Sequence, residues 1–311
     1  MSEISSTWMI ICNPKAGAGR AVRDWAHIEE ALKKHGIRYE YRFSKYHRHA
    51  IRLAEEAYDT GFRHFVAVGG DGTLNELVNG VAARGRARLE DSEFALIPVG
   101  KGNDWARSTD IPRSYEKAVA LLLNGTKSIQ EVGAVRWTNG NGEAEERLFV
   151  NMFGAGFDSY VVERIVKKCE KKKKLSAMSY LLELLRSLFS YKSRPARIRI
   201  REQILEVPLF TLAAGIGEYN GGGMRQCPGS DMNDGLLEIT VVRKVSLLTV
   251  ILNLPGLFSG KFVKRKEVSR HRSPAMKLEG AGLSMEVDGE LLGKAPGEIY
   301  VIKEKMHTRL P

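Results

Sequence analysis

Cysteine is scarce in this chain. Cys12, Cys169 and Cys227 are scattered through 311 residues with no Cys-x-x-Cys pair. That argues against a disulfide scaffold and fits reduced thiols in the cytosol. No apolar run approaches the ~20 residues of a membrane-spanning helix. The longest, Leu247 to Phe258, is broken by Asn253, Pro255 and Gly256. Met1 to Thr7 has no basic stretch followed by an apolar one, so no secretory signal is expected. The histidines make no metal set: His47 and His49 are two apart, have no cysteine beside them and read as surface residues. Negative charge is also in deficit, with 37 acidic against 48 basic residues and a formal net charge of +11. Such an excess favours an anionic partner, whether membrane surface, nucleic acid or anionic substrate. Without a zinc finger, recognition helix or RNA-binding aromatic motif, nucleic acid is set aside.

What is present is a soluble-type composition, 43% hydrophobic and 27% charged, long enough for roughly two domains and a large core. The stretch His64 to Val68 is apolar and β-branched and runs into Gly69-Gly-Asp-Gly-Thr73, after which Leu74 to Val78 has helical spacing. Strand, glycine turn and helix follow one another. Gly69, Gly70 and Gly72 allow a sharp bend and close approach of an anion to the amides. Thr73 and Glu76 have the spacing of a capping box at a helix start, which favours phosphate. Asp71 would be odd as a phosphate ligand but suits a hard cation that itself binds phosphate oxygens.

The pattern repeats. Trp8 to Cys12 reads as a buried strand emptying into Asn13-Pro-Lys-Ala-Gly-Ala-Gly-Arg20 before a helix over 21–34; Lys15 and Arg20 flank that loop. Phe94 to Ile97 is another short strand, ending in Pro98-Val-Gly-Lys-Gly-Asn-Asp104. Strands alternating with helices imply a parallel sheet, whose ligand crevice lies at the carboxyl ends of the strands. Three glycine-rich loops should therefore meet on one edge, the signature of a nucleotide site. Past about residue 135 the texture becomes short strands and hairpin turns, with strands expected over 147–152, 196–201, 205–212, 236–242, 276–279 and 283–287. Asn233-Asp-Gly235 and Asp288-Gly289 are the hairpin signals. Helical patterns over 160–174 and 176–191 interrupt what reads as a mostly antiparallel β-domain, and 298–303 reads as a last strand. The expected division is 1–135, joined by a returning strand at 297–311, and 136–296.

These motifs, in this order, resemble the diacylglycerol kinase catalytic family, and in particular its soluble bacterial branch of lipid kinases. Pro228-Gly-Ser-Asp-Met-Asn-Asp-Gly-Leu236 and Glu286-Val-Asp-Gly-Glu290 agree with the resemblance. It implies an α/β chain: an N-terminal nucleotide-binding domain of NAD kinase/phosphofructokinase type, a C-terminal β-sandwich and an active site in the interdomain cleft. It implies transfer of the γ-phosphoryl group of ATP to a lipid hydroxyl with Mg²⁺, as a cytoplasmic enzyme of lipid metabolism. By the resemblance, Asp71 and Asp104 help hold the catalytic magnesium. Asn13, Lys15, Gly17, Gly19, Ser44, Val68 to Leu74, Gly100, Lys101, Gly102 and Asn103 match nucleotide-contacting positions. Glu290 matches the general base. Asp231, Asp234 and the carbonyl of Leu236 match a structural magnesium site. Lys101 departs from the family's usual threonine or serine.

Phosphoryl transfer needs positioning, charge neutralisation and in-line geometry more than covalent chemistry, and two carboxylates on different loops suit Mg²⁺. Local spacing alone also allows Asp104 to be a helix cap and Asp288-Gly289 a plain hairpin. Two rivals remain: a soluble NAD kinase-type enzyme, and a non-enzymatic nucleotide-binding regulator. Arg164, Lys167, Lys168 and Lys171 to Lys174 precede an apolar helical pattern, and Lys261, Lys264, Arg265, Lys266, Arg270 and Arg272 form a second basic cluster. Both suit peripheral attachment to an anionic membrane. The acceptor lipid is not legible, and a homodimer is left open.

Overall fold

The computed structural model describes residues 6–100, 102–171 and 186–311. It divides into two compact units, Met1–Val132 with Ile302–Pro311, and Gly133–Val301.

In the first unit, strands β1 (Trp8–Cys12), β2 (Tyr39–Phe43), β3 (His64–Gly69) and β4 (Glu93–Pro98) form a parallel sheet in the order β2-β1-β3-β4. β1 is buried at all five positions and β4 at all six. Continuous apolar runs of this kind are what a sheet covered on both faces requires. The covering helices are α1 (Arg20–Arg23), α2 (Trp25–Lys34), α3 (His49–Asp59), α4 (Asp71–Ala82), α5 (Asp104–Ser108) and α6 (Tyr115–Asn124). Register matters most for function. Cys12 pairs with Phe43 and Val68, and Val68 pairs with Ile97. The four strands therefore end level, and the loops that follow leave on the same edge.

β5 (Thr126–Thr138) leads out of this unit. In the second, β6 (Ala144–Phe149), β7 (Met152–Gly156), β8 (Arg194–Ile200) and β9 (Gln203–Gly215) are joined by short β10 (Tyr219–Asn220) and β11 (Met224–Arg225). β12 (Leu237–Arg243), β13 (Val268–Ser273), β14 (Ala275–Glu279), β15 (Ser284–Val287) and β16 (Glu290–Lys294) complete its strands before β17 (Gly297–Leu310). All neighbours in the run β16-β15-β7-β9-β8-β14 are antiparallel, and β12 joins β9 while β13 joins β12. Phe149, Phe153, Leu212, Ile239 and Met285 are fully buried in the core beneath them. Helices α7 (Phe157–Lys171), α8 (Leu247–Leu252) and α9 (Leu254–Ser259) belong to this unit. The end of β17 runs parallel to β4, His307 opposite Glu93.

Two local expectations are corrected. The strand expected over 147–152 is two strands, broken where the Asp288 carboxylate accepts the amides of Val150, Asn151 and Met152 at 2.9, 3.1 and 2.9 Å. The basic cluster at 261–272 is divided, because Arg270 and Arg272 sit on β13 and pair with Glu238 and Asp234. The returning strand at 297–311 is β17, Gly297–Leu310, and the apolar run 247–258, interrupted at Asn253, forms the pair α8 and α9. Residues 172–185, with Lys172 to Lys174 and most of the second helical pattern, lie outside the described residues.

Candidate active site

The three glycine loops of the first unit touch one another. The amides of Val99 and Gly100 both donate to the Gly69 carbonyl, at 2.7 and 2.9 Å. A side chain at Gly100 would meet the Gly70 backbone at 2.9 Å, so the second and third loops lie backbone to backbone. The first loop closes on the third: Gly17 has φ +59°, a Cβ there would lie 2.3 Å from the Val99 carbonyl, and Arg20 donates to that carbonyl at 2.8 Å. Only glycine tolerates that combination of left-handed backbone and contact. Asn13 takes its place through its amide on Val68 O (3.0 Å) and its Nδ2 on Thr73 Oγ1 (3.4 Å). Lys15 is exposed on the same loop, whose Gly19 has φ +92°. Ser44 is buried, with its amide on Cys12 O at 2.9 Å. Together Asn13, Lys15, Ser44, Tyr46, His47 and Glu76 line a cleft of about 200 Å³ at the strand ends. Val68 and Leu74 are fully buried, so their side chains serve the core. Lys101 lies outside the described residues.

Asp71 is the junction of the site. Its Oδ2 accepts the amide of Asp104 at 2.8 Å and its Oδ1 accepts that of Trp105 at 3.0 Å. It thereby caps α5, a function that local spacing had offered to Asp104. Asn103, with φ +51° and Nδ2 on Gly100 O at 2.9 Å, turns the chain beyond Gly102 into that helix. Trp105 is fully buried and donates to Gln130 at 2.8 Å, which anchors α5 in the core. The Asp104 carboxylate is itself buried, 4.0 Å from Arg107 Nε. Two carboxylates on neighbouring loops are a donor set that fits a hydrated magnesium ion, which takes one or two carboxylates and keeps its waters.

The capping box is not formed. α4 starts at Asp71 without a side-chain cap, while Glu76 Oε2 accepts the Ala50 amide at 3.0 Å and so caps α3. Thr73 is held by Asn13 instead. Two acidic residues of α4 thus fasten the starts of two other helices. Glu76→Ala is expected to cost about 1 kcal/mol, the usual loss for a removed cap, read as a lower urea midpoint.

In the second unit the motif Glu286-Val-Asp-Gly-Glu290 gives its three carboxylates different surroundings. Asp288, with φ +48°, anchors the break between β6 and β7. Glu290 accepts from Arg147 at 3.0 Å, with both side chains mostly buried; the guanidinium fixes its direction and offsets its charge. Glu286 is 1% exposed, and burial pushes its carboxyl up to about 8, against the Gly289 amide and with help from Asp158 and Asp288. Sequence spacing missed what lies behind it. Asn220 Nδ2 reaches Glu286 Oε1 at 3.5 Å and Gln226 Oε1 at 3.3 Å, while Gln226 Nε2 and Thr211 Oγ1 donate to Asp158 at 3.0 and 2.9 Å. Burial raises the Asp158 carboxyl as well. Thr211 and Gln226 also line an apolar cavity with Phe210, Val242, Leu257 and Phe262. The signal for Asp158 was available in its setting, an acid directly after the apolar run Met152 to Phe157.

Asp231, Asp234 and Leu236 form one loop. Asp231 accepts the Asn233 amide at 3.0 Å and Asp234 accepts that of Leu236 at 2.9 Å. Arg272 holds the other Asp234 oxygen. The oxygens suit a hard cation, but an ion there would have to displace the guanidinium.

Residues 7–135 match the diacylglycerol kinase catalytic domain, and residues 151–307 match the YegS C-terminal NAD kinase beta sandwich-like domain. A Pseudomonas aeruginosa protein described as "Probable lipid kinase YegS-like" is 34% identical over 263 residues, covering 84% of this chain and 81% of its own. A "Diacylglycerol kinase" of Mycobacterium tuberculosis is 27% identical over 303 residues, 97% of this chain and 94% of its own. The crystal structure of a diacylglycerol kinase from Bacillus anthracis superposes with TM-score 0.70 at 20% identity, covering 100% and 98% of the two chains, and shares the fold. With a nucleotide-type α/β unit and a sandwich-like second unit, these matches define a kinase, a phosphotransferase with an alcohol group as acceptor. The chain belongs to the diacylglycerol kinase family, with the YegS-like lipid kinases as relatives. The reading as a non-enzymatic regulator is thereby set aside.

Proposed function

We propose that the protein transfers the γ-phosphoryl group of ATP to the hydroxyl of a diacylglycerol-like lipid, with magnesium. One observation favours a lipid over the soluble acceptor of an NAD kinase-type enzyme. The second unit contains a narrow cavity of about 70 Å³ whose surface is almost wholly apolar, lined by Phe210, Val242, Leu257 and Phe262 among others, a lining suited to acyl chain rather than to a polar acceptor. The amides of the level glycine loops cradle the phosphates. Asp71 and Asp104 hold the magnesium, which when bound offsets charge on the phosphate oxygens. Glu290, aimed by Arg147, takes the proton of the acceptor hydroxyl. A structural magnesium on Asp231, Asp234 and the Leu236 carbonyl belongs to the same reading, in competition with Arg272. Cys12 and Cys227 are free and buried, in keeping with a cytosolic setting. Among the described residues no helix is long and apolar enough to cross a membrane.

The test is a kinase assay with γ-labelled ATP, magnesium and a total lipid extract. Label is expected in the organic phase, on a product whose mass exceeds that of a lipid alcohol by one phosphoryl group. Label confined to water-soluble product overturns the lipid acceptor and favours the NAD kinase-type reading.

A further inference from the structure

The segment from Arg243 to Lys266 carries six basic residues, Arg243, Lys244, Lys261, Lys264, Arg265 and Lys266, and no acidic one. Its two helices stand between the cavity and solvent. Thr249, Val250, Asn253 and Leu257 line the cavity of the second unit. On the other side Leu248, Leu252 and Phe258 are 65%, 70% and 55% exposed, and Ile251 is 39% exposed. Leu248, Ile251 and Leu252 are spaced i, i+3 and i+4, so they share one helix face. Ordinary surface helices turn a polar face outward, and a cluster of large exposed apolar side chains marks an interaction site.

Charge identifies the occupant. Lys244, Lys261, Lys264 and Lys266 are exposed in the same segment. Apolar side chains presented among cations match an anionic lipid interface, where the apolar groups sink to the acyl boundary and the lysines meet lipid phosphates. The described part of α7 is a weaker candidate. Lys167 there is paired with Glu163 at 2.6 Å, and Arg164 donates to Tyr160 and Ser190.

We propose that α8, α9 and the basic turn after them dock on an anionic bilayer. Leu248, Leu252 and Phe258 enter the interface, and the acceptor lipid passes into the cavity behind the helices without crossing water. Delivery of the acceptor rests on the lipid-kinase reading; docking itself does not.

Flotation of the full-length protein with phosphatidylglycerol/phosphatidylcholine vesicles, set against pure phosphatidylcholine, tests this. Wild type is expected to float with the anionic vesicles. The combined variant Leu248→Ser, Leu252→Ser, Phe258→Ser is expected to bind about tenfold more weakly or worse at all salt concentrations. Lys261→Glu with Lys264→Glu is expected to lose binding at low salt, with the difference from wild type shrinking at high salt. Because these side chains are exposed, both variants should keep wild-type melting curves and wild-type activity on dioctanoylglycerol in solution. Equal binding of wild type to neutral and anionic vesicles, or wild-type binding by the serine variant, overturns docking. Vesicle binding with the expected variant losses but no phosphorylated lipid supports docking and sinks the lipid-kinase reading instead.

Discussion

Asp71→Asn lowers phosphoryl transfer by on the order of 10²–10³-fold, the range seen when one stabilising group is removed from a charged transition state, and the protein remains folded. Both halves of that expectation come from the same carboxylate. Its two oxygens accept the amides of Asp104 and Trp105, so asparagine keeps one acceptor and turns an NH₂ toward the other amide. The lost bond costs about 1–2 kcal/mol, which a buried anchor such as Trp105 is sufficient to survive. The chemical loss is larger because asparagine also removes the negative charge that a hydrated magnesium would meet. The two effects are separable. A urea titration reads the cap, and the stabilisation of the protein by ATP, measured with and without magnesium, reads the ion. The variant should retain most stabilisation by ATP alone and lose the magnesium-dependent increment. Near-wild-type turnover in a folded variant would reduce Asp71 to a helix cap and remove it from the chemistry.

The parts of this arrangement that were legible in the sequence are those fixed by neighbours along the chain. β1, β3 and β4 are short apolar runs that lead into glycine-rich loops, and nothing distant is needed to read them as buried parallel strands whose loops share an edge. Distant partners decided the rest. Glu76 lies three residues after Thr73, and the local pattern pairs them; in the fold the amide of Ala50 takes the carboxylate. The break between β6 and β7 is made by Asp288, more than a hundred residues away in sequence. β13 was hidden because Arg270 and Arg272 read as free charge until Glu238 and Asp234 are seen beside them. The same pairing divides the second basic cluster and leaves its lysines next to α9. The acids of Glu286-Val-Asp-Gly-Glu290 were visible as a motif, but their division of labour depends on Asp158, Asn220 and Arg147, which local reading cannot supply.

Glu286→Gln is expected to stabilise the protein in alkaline solution and to change little in acid. Folded, the Glu286 carboxyl titrates near 8; unfolded, it should titrate near 4.3, as in model peptides. Between those values the folded state holds a proton that the unfolded state has released. The sign follows from linkage: the contribution of Glu286 to stability is fully present below about pH 4.3 and is lost as pH rises toward and through about 8. The cause is burial of a charge that one amide, from Gly289, and the Asn220 side chain do not fully offset. Glutamine has nearly the same shape and can still accept from Gly289, but it releases no proton and never becomes charged. Urea midpoints at pH 5 and pH 9 should therefore fall further for wild type than for the variant, by on the order of a few kcal/mol in unfolding free energy. Parallel pH profiles would show that Glu286 titrates normally in the folded protein. Asp158 supplies a second handle, since its charge helps raise Glu286. Asp158→Asn should move the wild-type loss of stability to higher pH if that charge were stabilising and to lower pH if it is repulsive; the geometry of two buried carboxylates bridged through Asn220 and Gln226 requires the shift to lower pH.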